Sequence, residues 1–170
     1  MRRLVFVFAL CSVLAAPAAV LAARTTLGDG TLVIQNGQAP NGVAVVKLTI
    51  TGSVIGQVEG IGKIVIDAGA NGPSYDVTGA GNPQPVPKDP DGTAQQWGFI
   101  DNFKFRAVGG KFRILIYGSN INLVAIGTGT VSLTGMPDTP RGDGRYSLNG
   151  GGWHSLPGTP SDPIPIGADD

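Results

Sequence analysis

The chain has 170 residues, 12 basic and 12 acidic, with no formal net charge, one cysteine and one histidine. That inventory excludes a disulfide framework, a His/Cys zinc site within one chain, and the positive footprint of a generic nucleic-acid binder. Glycine (27) and proline (13) are abundant, but apolar residues make up 42%, which suits a turn-rich β domain better than a disordered chain.

The first element is an export signal. Arg2-Arg3 forms a positive n-region, Leu4 to Leu14 an apolar h-region, and Ala15 to Ala23 a small-residue end with signal-peptidase sites at Val20-Leu21-Ala22 and Leu21-Ala22-Ala23. The competing reading is an uncleaved membrane anchor, since Leu4 to Ala23 is nearly long enough to span a bilayer. Pro17 and the alanine-rich end favour cleavage. Cys11 follows Leu10 where a lipoprotein site needs a small residue. Cleavage after Ala23 leaves 147 residues, enough for one cored domain, with 10 basic against 12 acidic residues.

The predicted strands then follow in order. Thr31 to Gln35 is a short β-branched run. Val43 to Thr51 places Ala44, Val46, Leu48 and Ile50 on one face, with Lys47 and Thr49 on the other. Ser53 to Val58 and Ile61 to Asp67 continue the alternation, with Ile64 and Ile66 inward. Glycines at 52, 56, 60 and 62 interrupt these runs, as at bulges, bends or close backbone approaches. Residues 68–96 hold five prolines and read as a long loop, anchored by a short strand at Tyr75 and Val77. No segment after the signal shows a helical period with caps.

The organising stretch is Phe99 to Tyr117. Phe103, Phe105 and Ala107 fall on one face, and Lys104 and Arg106 on the other. After Gly109-Gly110, Phe112, Ile114 and Ile116 are again opposed to Lys111 and Arg113. The Val108-Gly109-Gly110 break predicts a β-hairpin with an apolar inner face and a basic outer one. Ile121 to Ile126, Thr130 to Thr134, Arg145 to Leu148 and the segment around Trp153 complete the strands, the last two joined by Asn149-Gly150-Gly151-Gly152. Residues 157–170 are proline-rich with an acidic end, and read as a disordered tail. Gly28-Asp29-Gly30-Thr31 echoes Gly127-Thr128-Gly129-Thr130, which reads as two strands entered through similar turns.

The export signal, the GDGTLVI opening, the VGGKFRI stretch and the GRYSLNGGGW ending together resemble small exported β domains of uncharacterised function, of a kind associated with high-GC Gram-positive bacteria. No chemistry is attached to those motifs, so the resemblance implies no catalytic residue, ligand or partner.

Catalytic candidates are few. His154 lacks a G-x-S-x-G nucleophile elsewhere in the chain and reads as an edge or surface residue. Glu59 is the only glutamate, and Asp29, Asp91 and Asp143 precede glycines in turn contexts. Asp101 is the exception. With unbroken alternation it shares a face with Trp97, Phe99, Phe103 and Phe105, and an inward carboxylate there could serve a carbohydrate-active enzyme. The competing reading is a bulge at Asp101-Asn102 that turns it to solvent. Calcium on turn oxygens has no supporting motif, and no metal or cofactor is expected. Ligand-binding candidates are the cations Lys104, Arg106, Lys111 and Arg113 and the aromatics Trp97 and Trp153, with Tyr117 and Tyr146 beside them. The cations could meet an acidic polymer or stand as a solvated face that discourages edge pairing.

The expectation is therefore a single all-β domain over residues 24–156, an antiparallel β-sandwich or flattened barrel. It is exported, non-enzymatic, and a binding or structural module of the cell envelope. Its expected partner is an envelope polysaccharide or anionic polymer, not nucleic acid, with membrane contact only through an uncleaved signal segment. Oligomeric state is left open.

Overall fold

A computed structural model describes residues 28–37, 44–70, 72–135 and 144–167. The predicted export signal lies outside them. The chain is all-β, with one antiparallel sheet that is not closed and no helix among the described residues. Its strands are β1 (Gly30–Gly37), β2 (Ala44–Asp67), β3 (Tyr75–Thr78), β4 (Val86–Pro87), β5 (Ala94–Gly118), β6 (Ile121–Thr134), β7 (Arg145–Leu148), β8 (Trp153–Ser155) and β9 (Ile164–Ile166). The sheet order is β3-β5-β2-β6-β1-β7-β8, with β4 also on β5 and β9 also on β6.

The predicted hairpin does not form. Phe99 to Tyr117 lies within the single 25-residue strand β5, which pairs along its length with β2. The inward set moves from odd positions (Phe103, Phe105, Ala107) to even ones (Phe112, Ile114, Ile116), so the strand must gain one residue between them. It does so at a bulge. The pairing steps from Val54 with Ala107 to Gly52 with Gly110, leaving Val108 and Gly109 opposite Ser53 alone. Gly109 has φ 73°, and its amide donates to Ser53 Oγ at 3.2 Å. A hairpin turn and a bulge both need a positive-φ glycine where alternation slips, so the VGG signal suits either.

Further bulges fall at Glu59-Gly60 opposite Asn102, and at Gly98-Phe99 opposite Lys63. Each adds right-handed twist. The β2–β5 ribbon coils until it meets itself: Ile64–Asp67 pair on one edge with Ala94–Trp97 and on the other with Arg113–Ile116. On the far edge of β2, β6 pairs without a slip from Val45–Thr134 to Val58–Ile121. Gly127 and Gly129 thus lie inside a strand, and the expectation of a turn there is corrected.

Their role is steric. Gly30, Gly127, Gly52 and Gly110 are successive register partners across β1, β6, β2 and β5. A Cβ on Gly127 would collide with Thr51 O and stand 2.8 Å from Gly52 Cα, and one on Gly52 would meet Ile126 O. At Gly52 and Gly127 of this row the neighbouring backbones approach too closely for side chains.

Apolar residues on the inner side of every long strand form one core, including Leu32, Leu48, Ile64, Phe103, Phe112, Ile116, Ile121 and Leu133, all fully buried. The short strand expected at Tyr75 and Val77 is present as β3, and two further expectations change. The 68–96 loop carries β3 and β4 and ends where β5 begins at Ala94. The expected disordered tail is instead laid on the sheet as far as Gly167. Ile164 and Ile166 pair with Val131 and Gly129, and Ile166 is buried. Pro165 is tolerated because β9 is an edge strand.

Candidate functional site

Coiling separates the four cations that a hairpin would have gathered. They occupy one strand and all face outward, but on opposite sides of the Val108–Gly110 bulge. Arg113 makes an ion pair with Asp67 at 3.5 Å, and it lines a small cleft with Lys111 and Asp91. Lys104 and Arg106 instead border a larger open depression of about 520 Å³.

That depression is built from two rows of outward side chains running across the strands. The first runs Asp76 (β3), Arg106 (β5), Ile55 (β2), Val124 (β6), Val33 (β1), each the register partner of the next. The second runs Thr78, Lys104, Gln57 and Asn122 on β3, β5, β2 and β6, with Gln35 of β1 completing that side. Alternation explains both rows, because the residues between them point into the core. The outcome is an aliphatic floor of Val33, Ile55 and Val124, with Ile55 43% exposed, beside a line of side-chain amides. Gln57 Nε2 donates to Glu59 Oε1 at 3.2 Å and Asn122 Nδ2 to Asn120 O at 3.0 Å. Among the described residues neither Lys104 nor Arg106 has an ion-pair partner, although Asp76 is opposite Arg106.

Beyond β1 the same face continues onto β7 and β8. Gln35 is the register partner of Arg145, and Val33 of Ser147, which pairs with Trp153. Arg145 donates from Nε and Nη2 to Gln35 Oε1 at 3.0 and 2.8 Å, and its guanidinium lies 4.5 Å from the Trp153 ring centre. Trp153 is 45% exposed. The β7–β8 hairpin has the expected turn, with Asn149 (φ 52°) and Gly150 (φ 70°) both left-handed.

The remaining candidates fall elsewhere. Trp97 is only 5% exposed and packs edge-on against Tyr75 at 5.9 Å, so it has no free ring face and leaves the binding set. Burial first, and then the charge of Asp67, push the Tyr75 phenol above its ordinary value of 10.0. Tyr117 is half-buried under Lys63 Nζ at 5.7 Å. Tyr146 packs on the core beneath His154 at 5.5 Å.

Asp101 does not join Phe103 and Phe105 on the inner face. The bulge at Glu59-Gly60 breaks alternation, so Asp101 and Asn102 are both exposed, and Asn102 (φ 50°) accepts the Gly60 amide at 2.8 Å. Among the described residues no group of His, Cys, Asp and Glu could hold a metal ion.

Gln35, Ile55, Gln57, Asn122, Val124 and Arg145 escaped the sequence reading. Each is one outward position on a different turn of the alternation, and only the register brings them together. No family model, curated protein or solved structure matches the chain.

Proposed function

We propose that the protein is an exported binding module of the cell envelope whose outer face takes an anionic polysaccharide. One observation carries the reading: Lys104 and Arg106, without ion-pair partners among the described residues, stand at the edge of a depression floored by aliphatic side chains and flanked by the amides of Gln57, Asn122 and Gln35. Cations attract acidic groups, amides exchange hydrogen bonds with hydroxyls, and an aliphatic floor suits the C–H faces of sugar rings. Export follows from the tripartite N-terminus. The groups of the depression are donors, acceptors and contact surface with one carboxylate, Asp76, so the module acts by binding rather than by catalysis. The same proposal takes the curled sheet as a β-sandwich, with long strands passing between two layers at the glycine row.

The test is retention of the protein on purified envelope polyanion across a salt series. Exposed charges are screened beyond about 8 Å at physiological ionic strength, so retention should fall steeply with salt. Changing Lys104 and Arg106 to Gln should lower the eluting salt clearly, whereas changing Lys111 and Arg113 to Gln should lower it little. Equal shifts for the two pairs would assign binding to net charge and defeat the proposal.

A further inference from the structure

Arg145 is a cation of the outer face held by side chains on two sides. Its guanidinium is fixed by two hydrogen bonds to a single amide oxygen, Gln35 Oε1, and by the Trp153 ring beneath it. Those bonds use two of its five N–H donors and leave the others for an incoming acceptor. A guanidinium held in one place loses little freedom on binding, and its planar fork matches a carboxylate. Gln35, which holds Arg145, also lines the depression bordered by Lys104 and Arg106. The two cationic ends therefore belong to one continuous surface. From β5 to β7 the sheet order passes through β2, β6 and β1. Four strand spacings separate the ends by about 19 Å.

We propose that this face binds an acidic oligosaccharide laid across the strands, with one acidic unit at Lys104 and Arg106 and another at Arg145. This rests on the proposed function and adds its ligand class and minimum length. No single sugar ring reaches both ends, so the ligand is an oligomer. Between the ends lie the amides of Gln57 and Asn122 over the Ile55–Val124–Val33 floor, which suits a hydroxyl-bearing chain of rings. An acidic peptide fits less well. It would gain affinity chiefly by adding as a strand to a free sheet edge, and this path crosses the face of strands already paired on both sides.

The experiment measures binding of the full chain to α-1,4-linked galacturonate oligomers, from dimer to octamer, by titration calorimetry. Poly-L-glutamate is the peptide control. Affinity should rise by about tenfold or more between dimer and octamer, the size of one added charge-assisted contact. R145Q should abolish that rise, so that the octamer binds no more tightly than the dimer. R145K, which keeps stem and charge but not the fork, should lose most of it. If R145Q fails to fold, R145K carries the comparison alone. A length effect that survives both variants, or no length effect at all, overturns the extended site while the depression stands. Poly-L-glutamate binding as tightly as the octamer overturns the ligand class. No binding by any oligomer overturns the proposed function as well.

Discussion

The two halves of β5 have nearly the same sequence pattern and different surroundings. Before the bulge, Phe103, Phe105 and Ala107 point inward with Lys104 and Arg106 outward. After it, Phe112, Ile114 and Ile116 point inward with Lys111 and Arg113 outward. Both halves pair with β2 on one edge. On the other edge the first half meets only the short strands β3 and β4, with β3 alone beside Lys104 and Arg106, whereas the second half meets the returning end of β2. That end brings Asp67 to Arg113 and gives the cation a structural partner. The first half has no such visitor, and its cations border the depression. The difference teaches that local pattern decides which way a charge points, while long-range pairing decides whether it is used.

On the inner side the two halves should behave alike. Phe105 and Phe112 are both essentially fully buried. Phe105→Ala and Phe112→Ala should each cost about 3–5 kcal/mol, as transfer and cavity terms combine. Lys104→Ala, on the exposed face, should stay within about 0.5 kcal/mol. Denaturant titration measures all three. A Phe105→Ala loss as small as that of Lys104→Ala would mean that the first half lies on the core only loosely, and the comparison would break there.

The glycine row crosses the sheet where the two halves of β5 join. Gly127→Ala drives a methyl into Thr51 O and to 2.8 Å from Gly52 Cα, a clash with backbone atoms that cannot rotate away. The backbone at Gly127 has φ 146°, a conformation that L side chains rarely adopt. Together these should cost about 2–3 kcal/mol, less than the phenylalanine truncations, by overpacking and strain. Gly152→Ala is the control, since nothing lies near that position. Equal melting temperatures for the two variants would show that the close approach at the row does not constrain the fold.

The inward faces were readable in the sequence because the period of two survives everywhere except at bulges. Ala44 through Ile50, Phe103 through Ala107 and Phe112 through Ile116 are buried as the alternation implies. Pairing partners were not readable, because a VGG slip suits a turn and a bulge equally and only distant β2 decides between them. For Asp101 the sequence left two readings, and the bulge at Asp101-Asn102 that turns it to solvent is the one that holds, with Asn102 at φ 50° opposite Glu59-Gly60. The tail misled through its prolines. Ile164-Pro165-Ile166 still alternates, and a proline on an edge strand costs no pairing. The depression was invisible because five strands each contribute two ordinary outward residues, and nothing local marks Gln57 or Asn122.

The smallest expected effect sharpens the structural half of the comparison. Asp67 serves Arg113 and also faces Tyr75, whose phenol is pushed up by burial and, second, by the Asp67 charge. Arg113 is largely exposed, so losing the ion pair in Asp67→Asn should cost no more than about 1 kcal/mol. The effect on Tyr75 is more telling. A folded-state value above 10.0 means the native protein holds that proton more tightly than the unfolded chain. Its contribution to stability is therefore complete below pH 10.0 and is lost as pH rises through the folded value. Phenolate absorbance, taken as the difference between the protein and Tyr75→Phe, isolates this group from the other tyrosines. In the unaltered protein it should titrate above 10.0. In Asp67→Asn it should move down toward 10.0 without reaching it, because burial remains. A Tyr75 titration indifferent to Asp67 would mean that the returning end of β2 does not hold its carboxylate near the Tyr75–Trp97 pair, and Arg113 would be no better partnered than Lys104.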